Sequence, residues 1–244
     1  MIFEHINFVY DKLYSDKLYE QEFNHVKDII LKFNPGNKVL EYGSGTGKYS
    51  EFFINDGFTL TGIEISPKMH ELAIKKGINS INNSMVDYKS EEKYDNAISM
   101  FHVFSYLNLD KEIDLFFKNL ENNLTENGLF IFDAWYTPSV IKTLPSKRTK
   151  DYEDSSIKIS RKSYPTIIPK KNIVSVKFVF DILYKDSGEK YFFEEVHDMR
   201  HFSIPEIINF SKKYNFEYLF SEELISKKIP SENTWSLLHI LKKT

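Results

Sequence analysis

With 244 residues, 41% of them hydrophobic and 16% aromatic, the chain can form one enzyme-sized α/β domain or one domain carrying an insertion. Its 32 basic and 35 acidic side chains give a net charge of −3, which argues against a nucleic-acid binder working through bulk positive charge. The lack of cysteine excludes disulfides and thiolate metal sites and suits a cytoplasmic protein; no apolar run is long enough to span a membrane, and Met1-Ile2-Phe3-Glu4-His5 lacks the order of a signal peptide.

Residues 1–36 read as an N-terminal helical cap carrying Tyr10, Tyr14 and Tyr19 and closed by Pro35-Gly36. Residues 37–134 follow the βα rhythm of a parallel sheet with crossover helices. Strands are predicted at 38–42, 59–63, 78–82, 94–100 and 129–134, with helices at 48–55, 67–76 and 111–124. Pro67 stands where a helix tolerates a missing N–H, and Asn127-Gly128 marks a helix-to-strand turn. The rhythm breaks over residues 135–203. Pro138, Pro145, Pro165 and Pro169 predict an irregular cover over 135–170. The runs 173–180 and 190–196 flank Asp186-Ser187-Gly188, a hairpin signal. Residues 204–244 supply a helix near 204–214 and two last strands, 216–222 and 235–242.

Val39-Leu40-Glu41-Tyr42-Gly43-Ser44-Gly45-Thr46-Gly47 is a strand running into a three-glycine turn, and Glu64 ends the next apolar run. Glycine admits close approach of a ligand to the backbone. An acid about 20 residues beyond such a turn is where a doubly wound fold places a ribose-hydroxyl acceptor. A Walker loop is excluded because Tyr42 and Tyr49 stand where it needs glycine and Ser/Thr. A dinucleotide fingerprint is weakened by Lys48 at its third glycine. The spacing Glu41-x-Gly43-x-Gly45-x-Gly47 instead resembles motif I of class I methyltransferases that use S-adenosylmethionine.

That resemblance implies a Rossmann-like, doubly wound, seven-stranded mostly parallel sheet with its last strand antiparallel and an inserted antiparallel β layer over the active-site edge. It implies that S-adenosylmethionine is held by Glu41, Gly43, Gly45, Glu64 and Ile65, with Ser84 and Met85 at the adenine and the Phe101 carbonyl at the methionine end. Ser84 departs from the acid that many members carry there. Tyr10-Asp11-x-x-Tyr14, Phe132-Asp133-Ala134-Trp135-Tyr136 and the run Glu194–Ser203 resemble the N-methyltransferases of nucleotide-linked amino sugars. From these, Tyr14 is expected on the cofactor carboxylate. Tyr10, Trp135, Tyr136 and Arg200 are expected around the acceptor, the planar fork of Arg200 suiting a phosphate.

Between Lys142 and Lys171 nine bases face three acids, a net +6 in a chain of −3. Arg148 and Arg161 in this stretch are the expected partners of an anionic acceptor. A sulfonium methyl is already electrophilic, so the protein's task is alignment and exclusion of water. His102, His197 and Asp133 are the candidates for a general base or an orienting carboxylate. No spacing builds a metal site, and a homodimer is one expectation for assembly. The expected function is methyl transfer to a small anionic acceptor, a nucleotide-linked amino sugar. The alternatives are O-methylation of another phosphorylated metabolite, such as a phosphoramidate in surface-polysaccharide assembly, or a different enzyme on the same fold.

Overall fold

The structure is a computed structural model and describes residues 9–244; the first eight residues of the expected helical cap lie outside the described residues. The cap contributes α1 (Tyr10–Leu13) and α2 (Tyr19–Phe33). Phe23, Val26, Ile29 and Ile30 recur at helical spacing on α2 and bury one stripe against the core. There follow β1 (Lys38–Tyr42), α3 (Ser50–Asn55), β2 (Thr59–Glu64), α4 (Pro67–Lys75), β3 (Asn79–Asn82) and β4 (Tyr94–Ser99). Ser66 caps α4 by accepting from the Met69 N–H, and Pro67 occupies its first position.

Then come α5 (Asp110–Asn123), β5 (Leu124–Tyr136), α6 (Thr137–Lys142), β6 (Arg148–Glu153), β7 (Ile157–Ile168), β8 (Ile173–Tyr184), β9 (Lys190–Phe202), α7 (Ile204–Lys213), β10 (Phe216–Glu223) and β11 (Ser236–Lys243). Strands β3-β2-β1-β4-β5 are parallel; β11 runs antiparallel to β5, and β10 antiparallel to β11. Those seven strands form the doubly wound core, with buried clusters on both faces. Phe104, Phe116, Phe117, Phe130 and Phe132 crowd one face, while Val26, Ile30, Phe53 and Ile240 fill the other.

The second sheet hangs from the end of β5. Strand β4 stops at Ser99, opposite Phe132, and the edge it vacates pairs Trp135 and Tyr136 with His201 and Phe202 of β9. From β9 the antiparallel order runs β8, β7, β6. This sheet packs on α1 and α4 through Leu13, Met69, Ile159, Phe180 and Ile182, so it roofs the carboxyl ends of the core strands.

The expectation of an irregular cover over 135–170 is corrected. That stretch contains α6, β6 and the whole of β7, and the expected hairpin is half of a four-stranded sheet. Proline misled because its missing donor matters only where a neighbouring strand needs it. Pro165 pairs with Val176 on one side, while β6 ends at the Arg148–Ser163 pair, so no strand lies on its other side.

Candidate active site

A cleft of about 770 Å³ opens between the carboxyl ends of the core strands and the roof. At its floor Gly43, Gly45 and Gly47 all have positive φ (72°, 57° and 77°). A Cβ on Gly43 would stand 2.4 Å from Val103, and one on Gly47 2.6 Å from Ile78, whereas one on Gly45 would project into open space. Gly45 is thus where the bare backbone meets the cleft. Its N–H donates to Glu64 Oε2 (2.8 Å), and the Ser66 N–H donates to Oε1 (2.7 Å). Burial raises the Glu64 pKa, opposed by the amides of Ser66, Gly45 and Ile65. Each carboxylate oxygen keeps a further lone pair for a ligand.

Glu41 lies beneath the loop, 3% exposed, accepting a hydrogen bond from the Ser50 hydroxyl. Burial pushes its pKa up to about 8; the Ser50 bond opposes the shift and the charge of Glu64 adds to it. Nearby the Tyr49 hydroxyl is buried on the cleft wall without a hydrogen-bond partner among the described residues. An orphaned buried hydroxyl costs about 1–3 kcal/mol, so this end of the cleft suits a polar ligand group. Ile65, Ser84 and Met85 line the opposite end, Ser84 Oγ accepting from the Val86 N–H at 3.2 Å.

Helix α1 closes one side. Asp11 accepts from the Thr46 hydroxyl (2.6 Å) and pairs with Lys76 (2.7 Å), fastening the helix to the glycine loop. Tyr10 and Tyr14 pack at 4.7 Å, and Tyr14 meets Phe101 edge-on at 4.9 Å. Phe101 and His102, just past β4, are consecutive non-glycine residues with φ of 67° and 61°. Such conformations cost of order 1–3 kcal/mol each and cluster at functional sites. Asp133 over-determines this one: its Oδ1 accepts the His102 N–H at 2.9 Å, and its Oδ2 lies 2.7 Å from Nδ1 of the ring, an ion-pair contact off the axis of a hydrogen bond.

Burial would raise the Asp133 pKa, but His102 and Lys17 outweigh it and the net shift is downward. At 2% exposure Asp133 holds His102 rather than reaching into the large cleft as expected; with His102 and Ser236 it lines a smaller cavity of about 470 Å³ behind that ring.

The roof turns its inner face down. Arg148, Ser163 and Arg161 share that face because Arg148 pairs with Ser163 and Arg161 lies two residues away. An Arg161 Nη1 donates to the Tyr14 hydroxyl, its guanidinium carbon sits 4.8 Å from the Phe178 ring centre, and its Nε is buried without a hydrogen-bond partner among the described residues. Neither arginine has a carboxylate within ion-pair distance among the described residues. His197 also lines the cleft. Its Nδ1 is 2.6 Å from the Tyr106 hydroxyl, and its Nε2 is 3.2 Å from Glu195 Oε2.

Two expected acceptor residues lie elsewhere. Arg200 donates to Asp110 (2.6 Å) and Glu206 (3.4 Å), tying β9 to the starts of α5 and α7. Tyr136 lies outside the residues that line the cleft, although Trp135 beside it lines it. Three of the seven lysines in the rest of the net +6 segment are committed to ion pairs: Lys142 with Glu232, Lys150 with Asp16, and Lys158 with Glu153.

The family model of the methyltransferase domain matches residues 18–170. The chain belongs to that family. The methyltransferase is 27% identical over 182 residues to an uncharacterized methyltransferase of Oceanobacillus iheyensis, covering 72% of this chain and 84% of that one. Among solved structures, an S-adenosylmethionine-dependent methyltransferase from Clostridium acetobutylicum superposes with a TM-score of 0.81 at 18% identity, covering 97% of this chain and 96% of that one. An amino pentose methyltransferase from Micromonospora echinaspora, solved with S-adenosylmethionine bound, superposes at 0.76 with 17% identity, covering 94% and 93%. S-adenosylmethionine is the cofactor of this methyltransferase, and the open position at Gly45, the carboxylate of Glu64 and the orphaned Tyr49 hydroxyl fit it.

Sequence reasoning missed Lys17, Tyr49, Tyr106, Glu195 and Trp235 in or beside the cleft of the methyltransferase. Only Glu195 carried a readable signal. It stands two residues from His197 on a strand and so shares its face.

Proposed function

We propose that the protein methylates the amino group of a small anionic acceptor, a nucleotide-linked amino sugar. The observation that carries this reading is the pair Arg148 and Arg161, two guanidiniums on the roof of the cleft with no carboxylate partner among the described residues. Arg161 is half-buried and Arg148 exposed, and a guanidinium without a carboxylate partner favours a phosphate or diphosphate, which it can grip bidentately. Two of the structural neighbours support the acceptor class by their own descriptions, one an amino pentose methyltransferase and one a sugar N-methyltransferase.

In this reading Glu64 accepts from the ribose hydroxyls and Gly45 permits close approach. Ile65, Ser84 and Met85 flank the adenine, while Glu41 and Tyr49 face the amino-acid end. The bound cofactor supplies an electrophilic methyl group. The chain's own contribution is placement: Asp133 holds His102 and the strained Phe101–His102 turn at the end of β4, and Trp135 packs 6.1 Å from the His102 ring. Roof and α1 together cover the site, which excludes water and fixes the line of attack.

The test compares UDP-glucosamine, glucosamine 6-phosphate and glucosamine as acceptors. The expected order of kcat/KM follows the order of negative charge. Equal efficiency with glucosamine would overturn the anionic-acceptor reading.

A further inference from the structure

We propose that Tyr106, His197 and Glu195 form a proton relay that converts an acceptor ammonium into the nucleophilic amine. The proposal rests on the reading above only in taking the acceptor to be an amine. Tyr106 ends the short 3-10 turn Val103–Tyr106, which directly follows Phe101 and His102, so its ring stands on the cleft wall at the reacting end. His197 and Glu195 alternate with Val196 on β9 and face the same side. They are 3% and 7% exposed. Phe178 meets the His197 ring edge-on at 4.9 Å and fixes its plane.

The chemistry of the three groups orders the hydrogens. An ionised Glu195 can only accept, so Nε2 of His197, 3.2 Å away, carries a hydrogen. A neutral ring then leaves Nδ1 bare, and it accepts the Tyr106 hydroxyl at 2.6 Å. The phenol oxygen therefore turns lone-pair density away from His197. An ammonium has no lone pair; one N–H bond must break, with its electrons staying on nitrogen, before the N–C bond forms. That proton passes to the Tyr106 oxygen while the Tyr106 proton passes to His197 Nδ1, leaving an imidazolium against Glu195 and no charge on the phenol. Burial raises the Tyr106 pKa well above its ordinary value and disfavours a free tyrosinate, so the two transfers occur together. The pair His102–Asp133 lacks an interposed hydroxyl and serves position instead.

Two measurements decide this. Nitrogen-15 NMR of histidine-labelled protein saturated with S-adenosylhomocysteine, with His197 assigned through His197→Asn, is expected to show a neutral ring protonated at Nε2. A ring protonated at Nδ1 would overturn the relay. With UDP-glucosamine as probe, Tyr106→Phe and His197→Asn should each lower kcat at neutral pH by about 10²-fold or more, with affinity for S-adenosylhomocysteine unchanged. The deficit should shrink as rising pH delivers the amine already deprotonated. A deficit constant across pH marks a merely structural role and overturns the relay. If the wild type leaves UDP-glucosamine unmethylated, the acceptor reading fails and the tautomer alone decides the relay.

Discussion

The floor of the cleft is lined by acids and the roof by bases, and the two are built by opposite means. The floor is acidic: Glu41 and Glu64 are buried carboxyls whose environment is set by Ser50 and by backbone amides within a short span of chain. The roof is basic: Arg148 and Arg161 project from two strands, and Arg161 is steadied by the Tyr14 and Phe178 rings and by the hydroxyl of Tyr14, from the far end of the chain. A cofactor common to a whole family meets a locally built, rigid floor. An acceptor that differs between relatives meets a surface assembled from distant elements, each replaceable on its own. The two halves of the cleft are therefore separable. Changes in the floor should move cofactor binding or turnover, and changes in the roof should move acceptor affinity.

The largest effect is expected at the joint between the two. Asp133→Asn keeps an oxygen for the His102 N–H but removes the charge beside the ring. A misplacement of about 1 Å costs on the order of 10²-fold in rate, so kcat should fall by about that factor with calorimetric cofactor affinity unchanged. A matching loss of cofactor affinity would assign Asp133 to the floor. Next, Glu64→Ala should weaken S-adenosylmethionine binding by about 1–3 kcal/mol by leaving hydroxyls and the Gly45 and Ser66 amides without their acceptor. A folded mutant with unchanged affinity would remove Glu64 from the site.

The roof should answer differently. Arg148→Glu with Arg161→Glu is expected to raise the acceptor KM, more at low salt than at physiological strength where the Debye length is about 8 Å, while cofactor binding holds. Absence of any change at either salt would reduce both arginines to surface charge.

The smallest effect concerns pH. The Glu41 pKa is about 8 in the folded chain against 4.5 for an ordinary glutamate, so the folded state holds its proton more tightly. Its stabilising contribution is complete below about pH 4.5 and is lost as pH rises through about 8. Glu41→Gln should flatten the fall in Tm of the ligand-free protein across that window. A parallel fall in both proteins would show that Glu41 does not titrate there.

The floor was legible in the sequence because its parts are contiguous. Glu41, the glycines and Glu64 lie within two strands and one turn, and each has a spacing that physics explains. The roof was not, for two reasons. Prolines at 138, 145, 165 and 169 hid α6, β6 and β7, since a sequence does not show that Pro165 lies beyond the end of its neighbour. The partners of Arg161, His197 and Arg200 also lie 147, 91 and 90 residues away in the chain. A guanidinium in a polar strand looks the same whether it meets Tyr14 at a cleft or, as with Arg200, Asp110 behind it. Tyr106 had no local pattern at all; its significance arises only once β9 is laid beside the turn after β4.

The handover at the end of β5 has a mechanical consequence. The two residues that leave β4 behind, Trp135 and Tyr136, join β9 to the same strand that positions Asp133. Strand β9 is further riveted to the core by Tyr106–His197, Asn108 to the Asp198 carbonyl, and Arg200 to Asp110. A lever fixed so firmly at one end can rise only at the other. There α1 is held by Leu13 in the apolar contact with the roof, and by Asp11 to Lys76 and Thr46 and Lys12 to Asp154, polar pairs with partly solvated side chains that are individually weak. Movement of the roof would therefore turn about the joint at Trp135 and Tyr136 and leave the corner at Asp133 and His102 in place.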